Sequence, residues 1–182
     1  SAASDVYKRQ IFFRALSILE DVLDNEKIAI YALDDNTTYG RLQVCSRSLN
    51  NSIARSLKLT DLPDLISSIS KGAIYQNNAV QPGYPAYFVP ISVQDNLVAG
   101  IAVWQANYEQ YSLEYYNLIK VISGLIQSSL VRATLFENAN ISKRYLPNTN
   151  ILKPEAFKQV IKVKTQMQDS QIAEFVLVRV LN

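Results

Sequence analysis

Apolar residues along this chain recur at two spacings, and each change of spacing marks an element. Over residues 6–23 the spacing is helical. Ile11, Ala15, Ile18 and Val22 fall on one line and Phe12, Leu16, Leu19 and Leu23 on the next. That apolar face is wider than a lone surface helix needs. Asp24-Asn25-Glu26 ends it, and residues 27–33 (Lys-Ile-Ala-Ile-Tyr-Ala-Leu) have strand composition. A polar turn over 34–40 leads to an alternating partner strand at 41–47. The stretch 48–58 is ambiguous: Leu49, Ile53 and Leu57 sit four apart, a spacing that allows a short helix. A firmer helix begins near Asp61: Thr60 or Asp61 caps it, Pro63 lies in its first turn, and Leu62, Leu65, Ile66 and Ile69 form its face. Gly72 stops it. Residues 73–76 form a short strand and 77–85 a loop rich in Asn, Gly and Pro.

The centre of the pattern is a hairpin. Residues 86–93 (Ala-Tyr-Phe-Val-Pro-Ile-Ser-Val) are aromatic and β-branched, and Gln94-Asp95-Asn96 is a polar turn. Residues 97–104 then run apolar on both faces, as a strand inside a sheet does. Pro90 lacks a donor and marks a bulge or an edge. Gly100 admits the close approach of a neighbour. From Ser112 a helical pattern continues to about Tyr145, well beyond an average helix, as a helix does that leaves one domain and enters another. Residues 146–150 are a linker. Pro154 and Glu155 open another helix, with Phe157, Val160, Ile161 and Met167 on its inner side, and 175–181 form a last strand. One helix and one strand cannot build a stable domain. The chain therefore divides into a domain at 1–145 and, at 146–182, a linker and the start of a second domain.

Composition narrows the chemistry. With 48% hydrophobic residues among 182, the chain can bury a real core. A net charge of +2 is too balanced to predict nucleic-acid binding. Cys45 is the one cysteine, so no intramolecular disulfide exists, which fits a reducing, cytoplasmic compartment. No apolar run is long enough to span a bilayer and no signal peptide opens the chain. The start at Ser1 is that of an excised fragment, which leaves room for a membrane tether upstream. Histidine is absent, which excludes Ser-His and Cys-His nucleophiles and the commonest zinc ligand within this chain. Five glycines supply no phosphate-cradling loop. We expect no enzyme activity, no metal and no cofactor.

The order of helix, two strands, helix, short strand, hairpin and long helix carries a resemblance. So do the apolar-Pro-apolar run Val89-Pro90-Ile91, the polar turn, and Gly100 inside an apolar strand. Over roughly residues 6–140 the chain resembles a GAF domain. The resemblance implies an α+β fold: an antiparallel sheet with the N- and C-terminal helices packed on one face and a small-ligand pocket on the other. It also implies that the terminal helices pair with those of a second chain. Both terminal helices here have faces wide enough to serve the sheet and a partner, and equally both could be covered within one copy.

The tail resembles the opening of a diguanylate-cyclase (GGDEF) domain. Thr149, Ile151, Ala156 and Phe157 match at the family's spacing. Leu146, Asn150, Lys153 and Pro154 replace its Asp, Gly, Asn and Arg, and Arg179 stands about where its metal-binding Asp would be. A cation there repels Mg²⁺. A GAF domain followed by a degenerate GGDEF domain resembles the PelD-like receptors of cyclic di-GMP, which implies membrane-associated control of exopolysaccharide synthesis and export. That family's Arg-x-x-Asp binding motif occurs nowhere in these residues. Cyclic di-GMP would then bind only in a part that follows. The alternative is a GAF domain that binds a nucleotide or metabolite in a signalling protein such as a diguanylate cyclase.

Tyr75, Tyr84, Tyr87 and Trp104 are the candidate pocket residues. Gathered near the hairpin, they would stack on a flat ligand such as a nucleobase; core and rim packing explains them as well. Asp34 and Asp35 read as a solvated turn rather than a cation site, because the ligand spacing of a calcium loop is missing. Cys45 in an alternating strand reads as a small core residue rather than a redox or bilin-attachment thiol. The basic stretch from Lys143 to Lys164 reads as a solvated helix face.

Overall fold

The computed structural model describes residues 2–147, 149 and 151–169. They fall into two compact units, within 1–134 and 135–182, and the boundary lies inside a helix. The strand expected at 175–181 and the side chain of Met167 lie outside the described residues.

In the first unit, α1 (Ala2–Leu23) precedes β1 (Ile28–Leu33) and β2 (Tyr39–Cys45). Then come β3 (Ser56–Lys58), α2 (Pro63–Ile69), β4 (Tyr75–Gln76), β5 (Tyr87–Val93), β6 (Asn96–Val103) and the long α3 (Leu113–Arg144). Among the described residues the strands form one six-stranded sheet in the order β3-β2-β1-β6-β5-β4, antiparallel at every pairing. The short helix allowed within 48–58 is not there. A 3-10 turn spans Arg47–Leu49 and an edge strand Ser56–Lys58 follows. Leu57 sits opposite Gly40 of β2, so pairing to the sheet overrode a helical spacing only three residues deep.

The hairpin forms as expected, with a tighter turn. Val93 pairs with Asn96, so only Gln94 and Asp95 make the turn, both at positive φ (52° and 63°), as a twist-matched two-residue turn requires. Pro90 lies beyond Phe88, the last β5 residue paired with β4, where the outer side of β5 is an edge. A bulge follows between Ile91 and Ser92.

Strand alternation sorts the core into two layers. Ile28, Ile30, Val89, Ile91, Ala99, Ile101 and Val103 face α1 and α3. Phe12, Ala15, Leu16, Leu19 and Leu23 of α1 and Ile119, Ile122, Ile126 and Leu130 of α3 cover them. Fully burying a Leu such as Leu19 contributes about 2 kcal/mol. Ile18, on the other apolar line of α1, is 49% exposed. By length and composition α3 is apolar enough to cross a membrane, an exception to the sequence expectation, yet one side of it is this core. On the other face Ala29, Tyr31, Phe88 and Ala102 meet Leu49, Leu59, Leu62, Leu65 and Ile69.

A polar knot ties the end of α1 to the approach to α3. Asn25 Nδ2 donates to Gln105 O (2.8 Å) and to Gln110 Oε1 (3.0 Å). Gln110 Nε2 donates to Asp24 O (3.0 Å), and the Tyr115 hydroxyl donates to Leu23 O (2.9 Å). Asn107 and Gln110 cap the 3-10 turn Tyr108–Tyr111 reciprocally.

In the second unit, α4 spans Pro154–Asp169. Tyr145 bridges Leu152, and Thr149 closes the loop between them. Its Oγ1 donates to Leu146 O (3.0 Å) and accepts from Ile151 N (3.2 Å). Phe157, expected on the inner side of this helix, is exposed, and its neighbour Ala156 is the buried residue.

Candidate functional site

Most of the face away from the terminal helices is filled by side chains. Tyr31, Phe88, Leu59, Leu65 and Ile69 are each fully buried there, so the middle of the sheet has no room for a ligand. A cleft of about 530 Å³ opens at the Trp104 end of the sheet. Its walls include Tyr31, Leu49, Ile53, Leu57, Tyr84 and Trp104, with Lys27, Ser48 and Ser52 among its polar groups.

Strand pairing puts Trp104 in place. Its backbone N–H donates to Lys27 O (2.7 Å), which extends the β1–β6 ladder by one bond. Its indole Nε1 donates to the Tyr31 hydroxyl at 3.2 Å, and the two rings meet edge to face with centroids 6.5 Å apart. Burial pushes the Tyr31 phenol up to about 12. Tyr31 is therefore a neutral donor at physiological pH, and its own O–H makes no hydrogen bond among the described residues. Lys27 forms no ion pair among the described residues. Aromatic walls and one cation suit a flat, acceptor-bearing molecule. No carboxylate and no histidine lines the cleft.

The four tyrosine and tryptophan candidates do not converge. Tyr84 and Trp104 line the cleft. Tyr75 stacks on Tyr84 with centroids 5.5 Å apart but lines a different groove. Tyr87 points to the helix-covered face, packed between Tyr111 and Tyr115 at 5.9 Å each. Its hydroxyl donates to Gln110 O (2.7 Å) and accepts from Gln76 Nε2 (3.1 Å). Its neighbour Phe88 takes the opposite side, as strand alternation demands. Sequence reasoning passed over Tyr31, whose signal was a lone phenol in an otherwise apolar strand. It also passed over Lys27 and, from the segment it assigned least well, Ile53 and Leu57.

The other candidates have structural partners. Asp34 Oδ1 accepts from Thr38 N (2.7 Å) and Tyr39 N (2.9 Å) and so staples its turn. No cluster of metal-ligating side chains occurs among the described residues. Cys45 is half-buried against the second core layer, and burial pushes its thiol up, away from the reactive thiolate.

No family model matches the chain, and no curated protein matches it significantly. Solved structures do. A methyl-accepting chemotaxis protein fragment, residues 122 to 287, superposes with a TM-score of 0.51 at 19% identity, over 70% of this chain and 89% of that one. GAF3 from Slr1393 of Synechocystis sp. PCC6803, in its photoproduct state, gives 0.53 at 11% identity over 71% and 96%. PelD 158-CT from Pseudomonas aeruginosa PAO1 gives 0.52 at 13% identity, over 87% of this chain and 50% of that one. With its antiparallel sheet, two terminal helices on one face and a second core layer on the other, the chain has the GAF fold.

Proposed function

We propose that the chain is a non-catalytic sensory or regulatory module from a PelD-like receptor of cyclic di-GMP, one that controls exopolysaccharide synthesis or export from the cytoplasmic side of a membrane. The observation that carries this reading is the extent of the PelD likeness. It covers 87% of the chain, against 70% and 71% for the chemotaxis and GAF3 structures. Residues 1–134 alone are too few to account for that share. The altered GGDEF opening from Leu146 to Phe157 supports the same reading. Thr149 there makes the loop-closing bonds, while the exposed Ile151, Phe157 and Val163 are apolar groups that further elements of a second domain would cover.

The test is a protein extended past Asn182. It should bind cyclic di-GMP in calorimetry and lose that binding when an Arg-x-x-Asp motif beyond this segment is changed. Cyclase activity from an intact Gly-Gly-Asp/Glu-Glu-Phe motif would overturn the reading. Residues 1–182 alone should show no thermal shift with cyclic di-GMP.

The cleft favours a second reading, a nucleotide- or metabolite-sensing GAF domain. Trp104 is the only tryptophan, so a ligand in the cleft would change its fluorescence and raise the melting temperature by mass action. In either reading we propose that copies pair through α1, where Phe13 (69% exposed), Ile18 and Val22 are left uncovered. Light scattering should show a dimer that Phe13→Glu converts to a monomer.

A further inference from the structure

A second groove, independent of the reading above, lies along the open edge of β4, between α2 and the first turn of α3, with a volume of about 820 Å³. Three tyrosines line it, Tyr75, Tyr111 and Tyr116, together with Asp64, Ser67 and Asn78. Tyr75 is only 6% exposed, yet it forms part of the groove wall and its hydroxyl makes no hydrogen bond among the described residues. The hydroxyls of Tyr111 and Tyr116 make none either. These hydroxyl oxygens keep solvent access, so a ligand hydrogen bond in the groove would replace one to water. The Tyr75 phenol is pushed up by burial first and then by the nearby Tyr84, Asp64 and Tyr111, and of these Asp64 and Tyr111 share the groove wall with it. Asp64 Oδ2 accepts from Gln81 Nε2 (3.1 Å), which holds the carboxylate in position and leaves its other oxygen free.

The lining selects a chemical class. It contains no lysine or arginine, so nothing there neutralises a phosphate or carboxylate. Its apolar residues are few, so it does not suit an acyl chain. Phenols, serine and asparagine each donate and accept, and the carboxylate accepts. Such a set matches ligand groups that also do both, namely vicinal hydroxyls, and the aromatic rings offer faces to the C–H side of a sugar ring. The volume falls in the range of small-molecule sites. We propose that this groove binds a neutral saccharide of one or two rings, with the Tyr75 hydroxyl and the Asp64 carboxylate as its principal hydrogen-bonding groups.

Saturation-transfer NMR on the 182-residue chain with D-glucose and cellobiose tests it, with choline and inorganic phosphate as comparison probes. The expected result is transfer to sugar ring protons. Tyr75→Phe, which keeps the ring on Tyr84, should weaken binding roughly tenfold, and Tyr75→Phe with Asp64→Asn should weaken it further. Ser67→Trp, on the exposed rim, should block the groove without disturbing a buried group. No transfer to either sugar at saturating millimolar concentration would overturn the proposal. So would transfer unchanged in the double variant and in Ser67→Trp, or binding of choline or phosphate in place of sugar.

Discussion

The ring of Phe88 fills the space that a side chain at Gly100 would need: a Cβ there would stand 2.1 Å from Phe88 Cζ. The two residues lie diagonally across the β5–β6 ladder, because Phe88 pairs with Ala102 and Gly100 with Pro90. Phe88 is completely buried and cannot swing outward. Gly100→Ala should therefore cost about 2–3 kcal/mol by overpacking. Phe88→Leu should relieve part of it, so the double variant should lose less than the sum of the single ones. Urea unfolding of the four proteins measures this.

The turn at Gln94-Asp95 holds two ordinary residues at positive φ. Replacing them with Asn-Gly should stabilise the protein by about 0.5–1 kcal/mol, since Asn and Gly adopt that conformation with little strain. The midpoint of urea unfolding should rise with no change in slope.

Gln110 is 8% exposed, and its side chain is bonded to Asn25, to the carbonyl of Asp24 and to the backbone N–H of Asn107. Gln110→Ala removes one of the two acceptors of the Asn25 amide and the side-chain donor to the Asp24 carbonyl. The expected loss is about 2–4 kcal/mol, more than a single exposed hydrogen bond contributes. Hydrogen exchange should show that it loosens residues 23–25 and 105–111 first.

Burial pushes the phenols of Tyr31, Tyr87 and Tyr115 up to about 12, against about 10 in an unfolded chain. Between those values the folded state binds more protons than the unfolded one, so stability falls as pH rises. The contribution is complete below pH 10 and is lost on the way to pH 12. Melting temperature should decline across that window, and Tyr87→Phe should make the decline shallower.

How much of this was written in the sequence depends on how local the information is. The hairpin, the close approach at Gly100 and both long helices were legible, because spacing and turn chemistry are local signals. The face on which an aromatic lands was half legible. Tyr87 and Phe88 had to point to opposite sides, but only strand pairing decides which side holds the helices. The cleft was not legible, since it joins Tyr31 to Trp104 across 73 positions of chain and draws its rim from 48–57, where a four-residue spacing imitated a helix. The opening of the Tyr75 ring onto a groove has no sequence signature at all.

The join between Asn25 and Gln110 gives the terminal helices an indexed position relative to each other. Greasy surfaces tolerate sliding, whereas paired amides hold only at one setting. Slippage of either helix by one turn, about 5.4 Å, would unhook every one of those bonds together. A displacement of either helix would thus meet a detent and come as a step rather than a gradual drift.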